Sequence, residues 1–494
     1  MTAYQALTER FQRLSRLNHL SAIAGWDMQT MMPHGGSDAR GEALAELSVM
    51  HHEILVQQTT GELLAQAQNE GLDDDQLANL REMARQYTDA ALLPAELVEA
   101  KALAGSRCEQ AWRQQRIDND WQGFQRNLVP VVDLARQEAQ LRAQKLGGSP
   151  YDALLNLYEP GMTSQRLDTI FGDLTQWLPE LLQEVVAKQP PLAPSQTTRI
   201  FPISQQQALA QAVMQRLDFN FDHGRLDISA HPFCGGVPTD VRITTRYDTQ
   251  EFLSALMGVI HETGHARYEQ NLPSQWSGQP IALARSTAIH ESQSLFFEMQ
   301  LGRSTSFLKS LHPLICQNLT AATDLTLNDL VQQVQRVAPG LIRVDADEVS
   351  YPAHVILRYE IERALINAEI EVSDIPELWD EKMQRYLGLS TAGNYRDGCM
   401  QDIHWTDGSF GYFPTYTLGA MYAAQLFNAM LDQQPESETA IATGDLAPTF
   451  NWLKENIWQH GSRYSVDNLI QQATGETLNP HWFKRHLEQR YLGR

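Results

Sequence analysis

His261-Glu262-Thr263-Gly264-His265 is the stretch of this sequence whose residue types and spacing point most directly to chemistry. Residues four apart share one helical face, so His261 and His265 can offer two imidazole nitrogens to a single metal ion, and Glu262, one position round, reaches the attacking water. The flanking residues favour a helix. Asp248 with Glu251 makes an acidic variant of a capping box, and Phe252, Leu253, Leu256, Met257 and Ile260 recur at helical spacing. Three polar groups in such an apolar run are costly without partners, and a metal ion is one such partner. The set is the minimum kit for zinc hydrolysis.

A catalytic zinc takes three protein ligands and keeps its fourth position open. The nearest downstream candidates are His290 and Glu291, in a segment that reads as helix from Ser286 to about Gly302. Twenty-five residues lie between His265 and Glu291, enough for one helix to end near Asn271, a Pro/Ser/Gly loop to turn, and a second helix to return alongside. Adjacent helical residues diverge by about 100°, so His290 and Glu291 cannot both face the metal. Glu291 is favoured, because two His and one Glu make a known catalytic zinc set.

The elements that must hold these residues belong to a long, soluble-looking chain. Its 494 residues are 43% hydrophobic and 20% charged, an ordinary globular mixture long enough to bury a large core. The formal net charge of −22 argues against nucleic acid or an acidic membrane surface as partner. No signal peptide and no membrane-length apolar run is evident, so a cytoplasmic location is expected. Cys108, Cys234, Cys316 and Cys399 lie far apart and suggest neither a structural zinc nor a redox pair.

Residues 3–146 read as a helical array, with Leu7, Phe11, Leu14, Leu17 and Leu20 at three- and four-residue steps. Pro33, Gly35 and Gly36 interrupt it, so a new helix should begin at Ser37 or Asp38. Trp26 and Asp27 just before are candidates for a site wall, with packing the commoner role for a Trp. Further on, 164–188 reads as helix and 189–195 as a Pro-stiffened turn. Strand character at 198–202, 225–230 and 240–246 predicts a small antiparallel sheet beside the metal helix. A strand there can pair with extended peptide through its backbone. Helices are again expected over 305–336 and 353–387.

Two other groups carry candidate chemistry. An enzyme that acts at a chain terminus needs a cation for the free carboxylate, and Arg suits it by its bidentate geometry; Arg358 is the first candidate and Arg343 the second. The loop-like stretches from Gly398 to Trp405 and from Gly408 to Tyr416 hold His404 and Tyr412, which can donate hydrogen bonds to an oxyanion. The bland alternative is an aromatic loop covering the core.

Five stretches together resemble the carboxypeptidase Taq family of metal-dependent carboxypeptidases: His231-Pro232-Phe233, Asp240-x-Arg242-x-Thr244, His261-Glu262-x-x-His265, His290-Glu291-Ser292-Gln293, and Gly398-x-x-Gln401-Asp402-x-His404-Trp405. With the Trp26-Asp27 to Arg40 stretch the likeness spans essentially the whole chain. It implies a mainly α, groove-containing fold acting as one unit, with residues 1–146 as a helical region covering the groove and 147–494 as the catalytic region. It also implies a homodimer, zinc or cobalt held by His261, His265 and Glu291, and Glu262 as general base. The expected activity is broad removal of C-terminal residues from peptides, poor next to Pro. His231, Asp240, Arg242, Gln401 and Asp402 become substrate-binding candidates through these motifs.

The residues alone reach only a metal-dependent hydrolase, with an amide as the expected substrate. An endo-acting or dipeptide-releasing zinc peptidase would share the core, and a helical peptide-binding protein with a degenerate site is the non-enzymatic alternative.

Overall fold

Long runs of Ala, Leu, Gln, Glu and Arg make helix the default for most of this chain. The computed structural model describes residues 1–191 and 199–494, and among these it contains twenty α-helices and one three-stranded sheet. The chain divides into two units. The first takes Met1–Ala90, Pro191–Gln335 and Gly419–Trp482; the second takes Ala91–Pro190, Arg336–Leu418 and Phe483–Arg494.

The first unit opens with the helix Ala3–Thr30, started by a Thr2/Gln5 capping box. Its stripe of Leu7, Phe11 and Leu14 is buried against Ile54, Leu55, Leu64 and Met83. The stripe runs out before the helix does: Leu17 is only partly buried and Leu20 is 59% exposed. As expected, the helix ends ahead of Pro33 and the next one begins at Ser37.

The sheet lies where it was expected, but it is mixed rather than antiparallel. Its strands are β1 (Gly224–Ile228), β2 (Cys234–Val237) and β3 (Asp240–Thr245), in the order β1-β3-β2. β2 and β3 form a tight antiparallel pair through Pro238-Thr239, while β1 runs parallel along the other edge of β3. The cause is the 229–233 connection, which carries the chain from one edge of β3 to the other before it turns back. β2 is Cys-Gly-Gly-Val, with no β-branched run to announce it. Of the strand expected at 198–202, Thr198 lies outside the described residues and 199–202 form none; the Phe201 N–H makes a single bond to the Thr249 carbonyl at 2.7 Å. Of the turn expected over 189–195, residues 192–195 also lie outside the described residues.

Val241 and Ile243 are fully buried and pack on Val259 and Ala266 of the helix Leu253–Gln270. That contact sets the sheet against the face of the helix opposite its histidines.

The second unit contains the helix Ser164–Lys188 at the expected bounds, capped by Thr163, and the helix Tyr351–Ile366 with Pro352 in its first turn. The Gly398–Phe413 segment is irregular, but helix resumes at Pro414, so 414–416 are helical rather than loop. Proline's fixed φ suits a first helical turn, which explains the early start.

Candidate metal centre

The helix Leu253–Gln270 starts without the expected capping box. Glu251 alone takes the backbone N–H groups of Leu253 and Ser254, while Asp248 is spent on the Gln250 N–H at 2.8 Å. The carboxylate nonetheless sits where a helix N-terminus favours negative charge. In the middle of this helix Gly264 makes the crossing with the next helix, Thr287–Leu295, possible. A Cβ there would lie 2.5 Å from the Gln293 carbonyl oxygen. On the other side Gly419 leaves room for Glu291, whose Cγ would be 2.8 Å from an added Cβ. The ligand helix is thus seated between two glycines.

Its approach is anchored as well. Arg285, 5% exposed, pairs with Glu82 at 3.0 Å and donates to the carbonyls of Ser462 and Tyr464, and its own N–H meets the Tyr268 hydroxyl. Ser286 then caps the helix through the Ile289 N–H. The α-helix stops at Leu295 and a π-turn, Phe296–Gly302, replaces the continuous helix expected to Gly302. Such turns recur at functional sites, and this one carries Glu298.

His261, His265 and Glu291 converge: one donor atom from each lies within 4.8 Å of the other two, and His265 Nε2 is 3.4 Å from Glu291 Oε2. Two imidazole nitrogens and one carboxylate oxygen suit zinc and similar divalent ions. The outer nitrogens are already engaged, which aims the inner ones at the common point. His261 Nδ1 meets Glu298 Oε2 at 2.9 Å, and Arg303 holds the other oxygen of Glu298 at 2.9 Å. His265 Nδ1 meets His290 Nδ1 at 2.6 Å, so His290 faces His265 rather than the ligand point. This donor set fits a divalent cation.

The electrostatics agree. Burial alone would lower the His261 pKa, but the Glu298 hydrogen bond and the charges of Glu291 and Glu262 push it up to about 10. A cradle with this excess of negative charge favours a cation in place of that proton. Burial dominates at His265 and takes it down to about 4, leaving a neutral imidazole able to ligate. Glu262, 7% exposed, is pushed up to about 7, chiefly by burial and opposed by His261. That is the range wanted of a group that must both take and return a proton.

Residues 6–491 match the sequence profile of the carboxypeptidase Taq (M32) metallopeptidases. The chain belongs to that family. It is 37% identical over 501 residues to thermostable carboxypeptidase 1 of Thermus thermophilus, covering 99% of this chain and 98% of the relative. It is 36% identical over 490 residues to carboxypeptidase 1 of Bacillus subtilis, with 98% and 97% covered. Among solved structures, metallocarboxypeptidase 1 of Trypanosoma cruzi superposes with a TM-score of 0.97 at 48% identity, covering 99% of both chains. The protein is therefore a metallocarboxypeptidase, a hydrolase of peptide bonds.

The remaining candidates of this M32 carboxypeptidase fall into two groups. In the first unit, Asp240 and Arg242 form a bidentate pair on β3, and Arg242 lies 4.6 Å over the ring of Trp26. Trp26 is 4% exposed and also meets Arg225, so packing accounts for it, while Asp27 pairs with Arg40 at 2.8 Å. His231 is exposed, on the 229–233 connection.

In the second unit, Asp402 joins both arginines. It takes Arg343 through two bonds at 3.0 and 2.8 Å and Arg358 at 3.0 Å. Arg358 is 1% exposed, also paired with Glu362, and lies 3.7 Å from the ring centre of Phe413. Arg343 donates to the Tyr351 hydroxyl, and its N–H is held by Gln401, whose amide otherwise serves the carbonyls of Leu341, Asp397 and Gly398. His404 stacks on Tyr412 with ring centres 5.7 Å apart, and burial with the nearby Arg358 pushes its pKa down to about 3, so the ring is neutral.

Two carboxylates beside the three donors, Glu298 and Glu269, are not among the candidates the sequence offers. Glu298 lies seven residues beyond Glu291, and Glu269 extends the four-residue spacing of His261 and His265, so both had a periodic signal. His290 was weighed only as a rival ligand. Glu269 accepts from His290 Nε2 at 2.8 Å.

Proposed function

We propose that this carboxypeptidase removes C-terminal residues from peptides with broad specificity, using zinc, or cobalt in its place, held by His261, His265 and Glu291. The observation that carries this is the convergence of those three donors within 4.8 Å beside the buried Glu262. A divalent cation there supplies the Lewis acidity that acidifies water and polarises a carbonyl.

Glu262 removes the proton from the attacking water and returns it to the departing amine nitrogen. Arg343 takes the substrate's terminal carboxylate, with Arg358 behind it. This reverses their expected order, because the Arg358 guanidinium is enclosed by Glu362, Asp402, Trp405 and Phe413. His404 and Tyr412 donate to the oxyanion. Asp402 and Gln401 hold the arginines, and His231, Asp240 and Arg242 border the peptide. The whole of 1–494 works as one functional unit, as a homodimer in the cytoplasm, on peptides with a free C-terminus. Among the described residues no helix is long and apolar enough to cross a membrane, and the net charge of −22 disfavours nucleic acid.

The test is mass spectrometry of paired peptides, one with a free C-terminus and one amidated, with and without a chelator. The expected result is stepwise loss of single residues from the free peptide only, abolished by the chelator and restored by zinc. Internal cuts, dipeptide release or equal trimming of the amidated peptide would overturn it.

A further inference from the structure

His265 and His290 meet through the same atom type, Nδ1 to Nδ1 at 2.6 Å, with ring centres 4.7 Å apart. Such a contact holds one proton, which belongs to one ring or the other. The far nitrogen of His290 decides which. His290 Nε2 lies 2.8 Å from Glu269 Oε1, and an ionised carboxylate only accepts, so the His290 proton is on Nε2. When His265 gives Nε2 to a metal its own proton is on Nδ1, and His290 accepts that proton through the Nδ1 lone pair it keeps once its own proton is on Nε2. That leaves the lone pair of His265 on Nε2, the atom 3.4 Å from Glu291 Oε2.

We propose that Glu269 and His290 are positioning residues of the metal centre: Glu269 sets the His290 tautomer, and His290 in turn holds His265 with Nε2 free to bind the metal. The two ligand histidines are therefore oriented by different means, His261 by the carboxylate of Glu298 directly and His265 by a carboxylate acting through a second imidazole. The inference rests on the metal-site reading above. Outer partners of ligand histidines typically contribute 10–100-fold to metal affinity.

The test measures zinc affinity of the metal-stripped full chain by competition with a chromophoric chelator, with thermal melts to establish folding. Wild type should bind one zinc, and His290→Phe should bind it about 10–100-fold more weakly. His290→Asn, whose amide oxygen can accept the same proton without help, should recover most of that loss. Glu269→Ala should weaken binding in the wild-type background and change nothing in the His290→Asn background, a split that a merely structural Glu269 would not produce. Wild-type affinity in a folded His290→Phe, or equal weakening by Glu269→Ala in both backgrounds, overturns the proposal. Should His290→Phe fail to fold, the two Glu269→Ala measurements decide. A wild type that binds no zinc would instead sink the metal-site reading itself.

Discussion

Gly264 faces Ser294 so closely that a Cβ on the glycine would lie 2.7 Å from the Ser294 Cα. Neither partner can yield, because both are backbone of packed helices. Gly264→Ala is expected to destabilise by about 1–3 kcal/mol and to weaken zinc binding by separating His265 from Glu291. Gly258, six residues earlier on the same helix, has nothing nearer than 4.0 Å to an added Cβ. Gly258→Ala should leave both properties intact or raise stability slightly, by the gain in helix propensity. Thermal melts and zinc titration of the two variants check this together.

Glu262→Gln keeps the size of the side chain and removes its basicity. Zinc stoichiometry should be retained while kcat/KM falls by about 10²–10⁴. Near-normal turnover would reassign the base. His261→Ala and Glu291→Ala should instead lose the metal, as metal analysis of the purified variants would show.

Asp402 neutralises Arg343 and Arg358 at once, and all three are at most 9% exposed. Asp402→Ala leaves two buried guanidinium groups short of a partner. The expected loss is about 3–5 kcal/mol, read by denaturant unfolding. Glu362 remains for Arg358, so the Arg343 surroundings should be disturbed most.

His354 is 2% exposed, and its pKa is pushed down to about 4 by burial first and the charge of Arg343 second, with Asp402 opposing. Between pH 6.5 and 4 the unfolded chain binds a proton at this residue and the folded chain does not, so stability falls as pH drops through that window and levels off below it. The contribution is on the order of 3 kcal/mol. His354→Leu should flatten the dependence of unfolding free energy on pH between 6.5 and 4 relative to wild type. An unchanged slope would show that His354 charges without penalty in the folded state.

Much of the architecture was legible in the order of residues. Helical spacing and Pro33 with its neighbouring glycines place helix bounds because local backbone preference acts within one turn. The placement of His261, Glu262 and His265 on one side of a helix is equally local. That His290 and Glu291 cannot both ligate follows from the same rotation per residue, the known set of two His and one Glu favours Glu291, and the structure brings Glu291 to the two histidines.

What the order of residues left open are relations that span the chain. The parallel pairing of β1 with β3 depends on which edge the 229–233 connection crosses to, and no local propensity encodes that. The Nδ1 contact of His265 with His290 and the two-sided seating of Glu291 between Gly264 and Gly419 need helices distant in sequence to be docked before the residues can meet. Arg358 read as the first candidate cation for a terminal carboxylate, and its enclosure by Glu362, Asp402 and aromatic rings is visible only in the packing. Spacing along one helix selects the residues able to ligate a metal; the close approach of separate helices decides their tautomers, their neighbours and their access to water, because those depend on desolvation and on contacts with residues far away in the chain.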